Sequence, residues 1–215
     1  MIPYFTLSLG FAILTIQLEK FNVGAIGPEF EFSFLDRFLI AGRALWFYIG
    51  KLVWPFPTIF NYPRWIIDDS IWWQYIYPIT FLFLIFIFWY LRKNIGRGSL
   101  TAILFFAGSL FPALGFFNVY PMRFSFVADH FQYLSCIGII VIFTSGVDKL
   151  IGEKTSQTAF ILVAGLLFFL GTLTWNKGPV YKDPFSLWND TIRKNPASWM
   201  AHNNFGNALV EKERI

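Results

Sequence analysis

The stretch WWQYIYPITFLFLIFIFWYL, residues 72–91, decides the fold class of this chain. At a rise of about 1.5 Å per residue, a helix of this length crosses the roughly 30 Å of hydrocarbon in a bilayer. Trp72, Trp73, Trp89 and Tyr90 lie at its two ends, and aromatic side chains of this kind prefer the membrane interface. The stretch therefore predicts a transmembrane helix.

The composition of the whole chain points to the same class. Of the 215 residues, 56% are hydrophobic and only 14% are charged, whereas soluble domains carry about 25% charged residues. The net charge of +4 could suggest nucleic acid. The basic residues fall in short loops and in the tail, however, so we expect no nucleic-acid partner. The single cysteine, Cys136, cannot form an internal disulfide.

Four more apolar runs predict membrane helices, at residues 2–18, 99–117, 132–147 and 157–175. The first run lacks a basic region before it and a cleavage site after it, so we interpret it as a membrane helix and not as a signal peptide. Together with residues 72–91, these runs predict an all-α fold, a polytopic membrane helical bundle of about five spans.

Lysine and arginine in short loops predict the side of the membrane that each loop faces. The connection 91–98 is basic and contains no acid, so we expect it in the cytoplasm. The loop 118–131 is then extracytoplasmic. The loop 148–156, which includes Lys154, is cytoplasmic again, and the tail from residue 176 is extracytoplasmic.

Residues 35–54 are long enough to span the membrane but are amphipathic. Arg43, Phe47 and Lys51 recur at every fourth position, so they share one side of a helix. An arginine surrounded by lipid costs about 3 kcal/mol or more. We therefore expect an amphipathic interfacial or re-entrant helix on the extracytoplasmic side. The alternative is a span whose Arg–Lys stripe faces a polar cavity.

The tail is soluble in character. Residues 182–196 predict one helix, with Asp183 as its N-cap and Pro184 at its first position. Pro196 ends this helix, and Ser198 can cap a second one.

Three ionisable side chains, Arg123, Asp129 and His130, lie in the predicted extracytoplasmic loop. Arginine offers a forked set of donors to a phosphate at a lipid headgroup. Asp129 could orient that arginine, hold a divalent ion or bind a sugar hydroxyl, and His130 could donate to a phosphate or move a proton. The alternative is an interfacial loop whose charges stay hydrated. The spacing is not that of metal ligands, so we predict no metal site.

A second group of cations consists of Arg43, Lys51 and Arg64. It predicts a site for an anionic lipid or a lipid-linked phosphate, and the alternative is that the charged ends reach out to the headgroups. Asp68 and Asp69 come just before a helix, where acids favour the helix dipole. We interpret these two as capping residues and not as catalytic ones.

Four segments, in this order, carry a resemblance to a known family: IAGRALWFYIGKLVWPF (40–56), IFNYPRW (59–65), FNVYPMRFSFVADHFQYL (117–134) and LWNDTIRKNPASWMAHNNFGNAL (187–209). The chain resembles bacterial TPR-containing membrane proteins. These are similar to the transmembrane and TPR-containing O-mannosyltransferases, within the GT-C superfamily of polyprenyl-phosphate-sugar-dependent glycosyltransferases. The resemblance covers nearly the whole chain.

The resemblance also implies a domain organisation. Asn204–Ala208 match the NLGNA of a TPR repeat with Phe for Leu, whereas His202 and Glu213 stand where Trp and Gly are usual. Such repeats run about 34 residues and need about three copies. Residues 1–175 would be the carboxy-terminal part of a GT-C-like membrane domain, and residues 176–215 an extracytoplasmic, truncated TPR start.

The function implied by the resemblance is sugar transfer from a polyprenyl-phosphate carrier to an acceptor, expected to be a protein, outside the cytoplasm at the bacterial inner membrane. The catalytic carboxylate of such enzymes would lie upstream, so we assign none here and expect this chain alone to be inactive. Implied partners are membrane lipid, the polyprenyl-phosphate sugar as donor, and a protein bound by the repeats; no covalent cofactor is expected, and a divalent metal is left open. The candidates for lipid-phosphate or substrate binding are Arg43, Lys51, Arg64, Arg123, Asp129 and His130.

Two alternatives remain for the function. One is a membrane-anchored TPR scaffold that recruits partners without catalysis. The other is a lipid-linked-sugar ligase or flippase of similar helical build.

Overall fold

The computed structural model describes residues 2–151 and 156–213. Within these residues every regular element is helical, so the predicted all-α class is confirmed there. Residues 2–151 and 156–213 contain eight α-helices, with short 3-10 or π-helical turns in several of the connections between them. They are α1 (Ile2–Leu18), α2 (Phe34–Val53), α3 (Ile76–Leu91), α4 (Gly98–Leu110), α5 (Cys136–Ile151), α6 (Ser156–Lys177), α7 (Pro184–Lys194) and α8 (Trp199–Glu213).

Two helical stretches in the described residues are long and apolar enough to cross a membrane. They are Trp72–Leu91, which contains α3, and Phe160–Tyr181, which contains most of α6. Both are mostly unburied, unlike the core helix of a soluble protein, and this favours membrane association. The apolar stretch Gly98–Ala113, which contains α4, is shorter. The other predicted spans are helical, but the five-span arrangement stays a prediction.

Two of the predicted apolar runs have helix boundaries that differ from the prediction. α4 ends well before residue 117, because Pro112 lies in a 3-10 turn and Gly115 adopts a left-handed φ of 93°. α5 begins at Cys136 and not at residue 132, because Asp129–Gln132 forms a 3-10 turn of its own. Local turn geometry shortens both helices at the side where the candidate polar residues lie.

α2 forms the buried centre of its part of the molecule. It begins at a capping box, in which the Asp36 amide donates to Ser33 Oγ at 3.0 Å and the Ser33 amide donates to Asp36 Oδ2 at 2.9 Å. Its contact with the start of α3 is so close that a Cβ on Gly42 would lie 2.5 Å from the backbone nitrogen of Pro78. The side chains that α2 buries include Leu39, Ile40, Ala44, Leu45 and Tyr48.

α3 and α4 form a hairpin joined by the basic connection 92–97. Phe81 and Phe106 are both buried, and their ring centroids lie 6.4 Å apart. Because a short connection makes the two helices antiparallel neighbours, the segments before α3 and after α4 leave the same end of the hairpin. The basic connection lies at the opposite end.

The contacts divide the chain into two compact units. The first consists of Met1–Thr58 with Tyr62–Ile139, and the second of Ile59–Asn61 with Ile140–Ile215. α6 therefore groups with α7 and α8, whereas the sequence placed a domain boundary at residue 175. Three residues that precede α3 also belong to the second unit.

The tail forms the helix pair that the sequence predicts. Asp183 Oδ1 accepts a hydrogen bond from the Ser186 amide at 2.7 Å, and Ser198 Oγ accepts one from the Ala201 amide at 3.2 Å, so both predicted caps are confirmed. Phe185 and Phe205 join the two helices, with ring centroids 5.0 Å apart. Lys154 of the predicted loop 148–156 and the last two residues of the tail lie outside the described residues.

Candidate functional site

α2 places two of the predicted cations on one side of a helix, with an aromatic ring between them. Arg43, Phe47 and Lys51 follow each other at intervals of four residues, which one helix face aligns. The Phe47 ring lies 4.9 Å from that of Tyr62 and 6.0 Å from that of Trp65. The segment before α3 thus supplies aromatic faces beside both cations.

Arg43 is held by aromatic rings and makes no hydrogen bond or ion pair with the described residues. Its guanidinium carbon lies 4.5 Å from the Trp65 ring centroid and 5.9 Å from that of Tyr77. Burial lowers the pKa of Arg43 from its ordinary value, but arginine keeps its charge in proteins. Its forked donors are therefore available to an anion.

Lys51 is turned toward the same segment. Its Nζ donates to the carbonyl oxygen of Pro57 and lies 5.1 Å from the Tyr62 ring centroid. Burial lowers the pKa of Lys51, and the negative charge of Asp129 acts against that shift. Lys51 therefore already has a backbone acceptor, and a charge partner close by.

Asp129 lies in the loop that follows α4, and hydrogen bonds with Tyr62 and Tyr48 hold this loop beside the group. Tyr62 Oη donates to Asp129 Oδ1 at 2.8 Å, and the Ala128 amide donates to Tyr48 Oη at 3.2 Å. Tyr48 is fully buried, and burial raises the pKa of its phenol, so this tyrosine stays neutral. The carboxylate of Asp129 is thus fixed close to Lys51 but remains half-buried.

Arg64 is also surrounded by aromatic rings, and its contacts stabilise the fold rather than present the guanidinium to a ligand. One of its terminal nitrogens donates to the carbonyl oxygen of Glu29, and its guanidinium lies 5.0 Å from the Phe126 ring centroid and 5.5 Å from that of Phe32. Its Nε is buried without a hydrogen-bond partner among the described residues. Burial lowers the pKa of Arg64, while the Glu29 charge raises it.

Arg123 and His130, the other two predicted residues, differ from the first four. Arg123 Nε lies 2.8 Å from Glu29 Oε1 in an ion pair, so any phosphate at Arg123 would compete with that carboxylate. His130 is exposed, and its ring centroid lies 4.5 Å from that of Phe131. The structure therefore brings Arg43, Lys51 and Asp129 close to a common set of rings, and leaves His130 at the surface.

Sequence reasoning missed Arg37 and Glu29, both of which organise this region. Arg37 donates to the carbonyl oxygen of Gly115 at 2.7 Å and to Asn118 Oδ1 at 2.7 Å, so it ties the start of α2 to the loop after α4. Glu29 contacts both Arg64 and Arg123. The sequence could have identified Arg37, because it is an arginine one turn into an amphipathic helix. No sequence feature marked Glu29.

We use the name cation–aromatic site for the following residues: Arg43, Phe47, Lys51, Tyr62, Arg64, Trp65, Phe126 and Asp129. Arginine and lysine on aromatic faces can bind an anion, and the surrounding rings can contact an apolar chain. No three His, Cys, Asp or Glu side chains of residues 2–151 and 156–213 are grouped as metal ligands would be. Asp68 Oδ1 accepts the Ser70 amide at 2.9 Å in a local turn. The helical turn Trp72–Tyr75 has Ile71 at its N-cap and no side-chain capping hydrogen bond, so the predicted capping role of Asp68 and Asp69 is wrong for this helix.

Comparisons of the chain with protein-family models, with curated proteins and with solved structures found no match.

Proposed function

We propose that this chain contributes to an integral membrane glycosyltransferase of GT-C type. The enzyme transfers a sugar from a polyprenyl-phosphate carrier to a protein acceptor outside the cytoplasm. In this proposal the cation–aromatic site binds the phosphate of the carrier. The family resemblance of the four sequence segments supports the reaction class, and the geometry of the site supports the ligand.

One observation carries the ligand assignment. Arg43 is half-buried against Trp65, and no described residue accepts a hydrogen bond from its guanidinium. A half-buried charge without a partner costs free energy, and a bound phosphate would satisfy its donors. Arg37 and Arg123, by contrast, already have acceptors. Arg64 keeps an unpartnered Nε among the described residues, but one of its terminal nitrogens already donates to the Glu29 carbonyl oxygen. Arg43 is therefore the cation to which we assign the phosphate.

The surroundings of Arg43 favour a phosphate that is attached to a lipid. Tyr77 belongs to the helical stretch Trp72–Leu91, which is apolar and mostly exposed, so Arg43 lies beside a surface suited to a hydrocarbon chain. The basic connection 92–97 leaves the opposite end of the α3–α4 hairpin. Basic loops favour the cytoplasm. A bacterial inner-membrane protein of about five spans, with α7 and α8 outside the cytoplasm, would then have the site on the outer surface.

The chemistry assigned to these residues is electrostatic. The acceptor hydroxyl oxygen attacks the anomeric carbon of the sugar, the bond from that carbon to the carrier phosphate breaks, and the phosphate leaves with the electron pair. Arg43 would stabilise the departing phosphate. Asp129, fixed by Tyr62, would accept a hydrogen bond from a sugar hydroxyl. The hydroxyl proton would pass to a base that we do not assign to any residue here.

The α7–α8 pair would serve the protein acceptor or another protein partner. Two helices joined by a short turn and packed through Phe185 and Phe205 have the build of a helical-repeat unit. We propose that they are the start of a TPR array.

A binding measurement tests the ligand assignment. The full chain in maltoside micelles is titrated with farnesyl phosphate, a short polyprenyl phosphate, and the Kd is measured by microscale thermophoresis. Arg43→Gln should raise the Kd about tenfold or more, because it removes charge-assisted hydrogen bonds to the phosphate. Arg97→Gln removes the same charge from the exposed basic connection and should leave the Kd unchanged.

Two further probes separate the sources of binding. Farnesol keeps the apolar chain without the phosphate, and inorganic phosphate keeps the anion without the chain. Farnesyl phosphate should bind more tightly than either one. Equal affinity for farnesol and farnesyl phosphate would contradict a phosphate site, and equal losses in Arg43→Gln and Arg97→Gln would contradict the assignment to Arg43.

The scaffold alternative is favoured by one feature of the tail. Leu209 and Val210 on α8 are exposed apolar side chains, as in a helix that contacts another protein. A scaffold without catalysis would not bind farnesyl phosphate through Arg43, so the same titration distinguishes the two functions. A lipid-linked-sugar ligase or flippase would bind the probe as well, and would be distinguished by transfer or transport of a glycan polymer.

A further inference from the structure

Two lysines of the second unit share one carboxylate. Lys177 Nζ, in the last turn of α6, and Lys194 Nζ, in the last turn of α7, each donate to Asp190 Oδ2 at 2.8 Å. The side chains of Lys177, Lys194 and Asp190 are 21%, 30% and 22% exposed, so the group is mostly shielded from water. We call these three side chains the lysine cluster. One carboxylate cannot neutralise two ammonium groups, so the cluster keeps a positive charge in excess.

The lysine cluster lies at the end of a helical stretch that can cross a membrane. The stretch Phe160–Tyr181 includes Lys177, and none of its residues is buried. Trp175 and Tyr181, on either side of Lys177 in the sequence, are exposed, and the Lys177 ammonium lies 5.7 Å from the Tyr181 ring centroid. Aromatic residues at the end of a span are typical of the headgroup layer. The excess positive charge therefore lies at the level where lipid phosphates are found.

We propose that the lysine cluster binds the phosphate of an anionic phospholipid, with Lys177 and Lys194 as its two donors. A phosphodiester has two non-bridging oxygens, so it can accept a charge-assisted hydrogen bond from each ammonium group. It also offsets the repulsion between two like charges that are held against the same carboxylate oxygen. The acyl chains of the lipid extend along the exposed apolar surface of Phe160–Tyr181.

This lipid site does not depend on the proposed phosphate site at Arg43. All its residues belong to the second unit, whereas Arg43 and Trp65 belong to the first. It requires that the stretch Phe160–Tyr181 lies in a membrane, and it has no part in sugar transfer. A failure of farnesyl phosphate to bind at Arg43 therefore leaves the lipid site unaffected.

The role of Asp190 separates a lipid site from a cluster that only stabilises the helices. Replacing either lysine removes a donor and a positive charge, so it weakens the binding of an anionic lipid. Asp190→Asn instead removes the negative charge that competes with the phosphate, so it strengthens lipid binding although it weakens the fold. If the cluster acted on the fold alone, all three substitutions would change the protein in the same direction.

Fluorine NMR of the full chain labelled with 5-fluorotryptophan, in maltoside micelles, measures lipid binding at this position. Trp175 is close to Lys177 in the sequence and serves as the reporter, and its resonance is assigned from a Trp175→Phe variant. Dioctanoyl phosphatidylglycerol, which is anionic, should shift this resonance to saturation. Dioctanoyl phosphatidylcholine has the same acyl chains but no net charge, and its Kd should be about fivefold higher. Inorganic phosphate, which lacks the acyl chains, should leave the resonance in place at the same concentrations.

Substitutions in the lysine cluster should change the Kd for phosphatidylglycerol in opposite directions. Lys177→Gln and Lys194→Gln should each raise the Kd about fivefold, and Asp190→Asn should lower it by a similar factor. Lys194→Arg keeps the charge and should keep the Kd of the wild type. Arg193→Gln, the control, removes an exposed charge next to Lys194 in the chain and should leave the Kd unchanged.

Four outcomes would overturn the lipid site. Equal losses in Lys194→Gln and Arg193→Gln would show that diffuse attraction to the basic tail is sufficient. A higher Kd in Asp190→Asn would show that Asp190 holds the lysines in place and does not compete with a lipid. Equal affinity for the two lipids would contradict recognition of the negative charge. A shift of the same size with inorganic phosphate would contradict the assignment to a lipid.

Discussion

The guanidinium of Arg43 is stacked on Trp65, 4.5 Å from the ring centroid, and this pair links the central helix α2 to the segment before α3. Arg43 contributes a charge that no described residue neutralises, and Trp65 contributes a rigid face that limits where the charge can be. The stack explains how a cation can be kept near an apolar surface in a fixed position.

Replacing the indole should weaken both the fold and the site. Trp65→Leu removes the cation–π contact and should cost about 1 kcal/mol or more of stability, together with affinity for farnesyl phosphate. Trp65→Phe keeps an aromatic face and should lose less of both. Thermal unfolding and probe titration in maltoside micelles check the order wild type, Phe, Leu; equal behaviour of the Phe and Leu variants would contradict a role for the ring face.

The crossing of α2 over α3 should tolerate no side chain at Gly42. A Cβ there would lie 2.5 Å from the Pro78 backbone nitrogen, so Gly42→Ala should lower stability by about 2 kcal/mol through overpacking. Gly50 lies in the same helix and has no atom within 4 Å of such a Cβ. Gly50→Ala should be neutral or stabilise by up to about 1 kcal/mol. Thermal unfolding of the two variants, side by side, decides whether the close approach is real.

The arginines of this region should differ sharply in their effect on stability. Arg37 ties α2 to Gly115 and Asn118, so Arg37→Met should cost about 3 kcal/mol by leaving these acceptors without their charged donor. Arg123 pairs with Glu29 where both side chains are partly exposed, and Arg123→Met should cost at most about 1 kcal/mol. Similar losses in the two variants would show that the Arg37 contacts do not determine the fold.

The helix pair of the tail should lose stability in acid. Burial alone would raise the pKa of Asp190, but hydrogen bonds from Lys177 and Lys194, each at 2.8 Å, outweigh it and hold the pKa below its usual range. A carboxylate with a lowered pKa contributes stability above its unfolded value of about 3.9, and this contribution disappears as the pH falls through the folded pKa.

Asp190→Asn is the variant that isolates this effect. At pH 7 it should lower the free energy of unfolding by about 1 kcal/mol, and the melting temperature with it. The difference in melting temperature between the variant and wild type should shrink as the pH falls below about 4. Thermal unfolding by circular dichroism at several pH values in a nonionic detergent measures this difference. A difference that persists unchanged at pH 3 would contradict a charged Asp190 in the folded state.

Several features of this protein were decided by the sequence alone. The apolar runs predicted where helices form, because an uncharged stretch of about 20 residues in a bilayer has to satisfy its backbone hydrogen bonds within a single helix. The caps at Asp183 and Ser198 were predictable for the same reason, since each contact reaches only three residues along the chain. The cationic stripe Arg43–Lys51 was also visible, because a helix places every fourth residue on one face.

The roles of the individual cations were decided only by the tertiary structure. Arg37 and Asn118 are 81 positions apart, and Asn61 and Ser198 are 137 positions apart, so no local pattern announces either contact. Arg37 donates to a carbonyl oxygen, whereas the donors of Arg43 have no acceptor among the described residues. The difference depends on which backbone carbonyl groups the packing of the chain brings within about 3 Å of each guanidinium. Hydrogen bonds between residues this far apart in the sequence form only when the chain has folded, whereas helices and their caps depend on residues that are neighbours in the sequence.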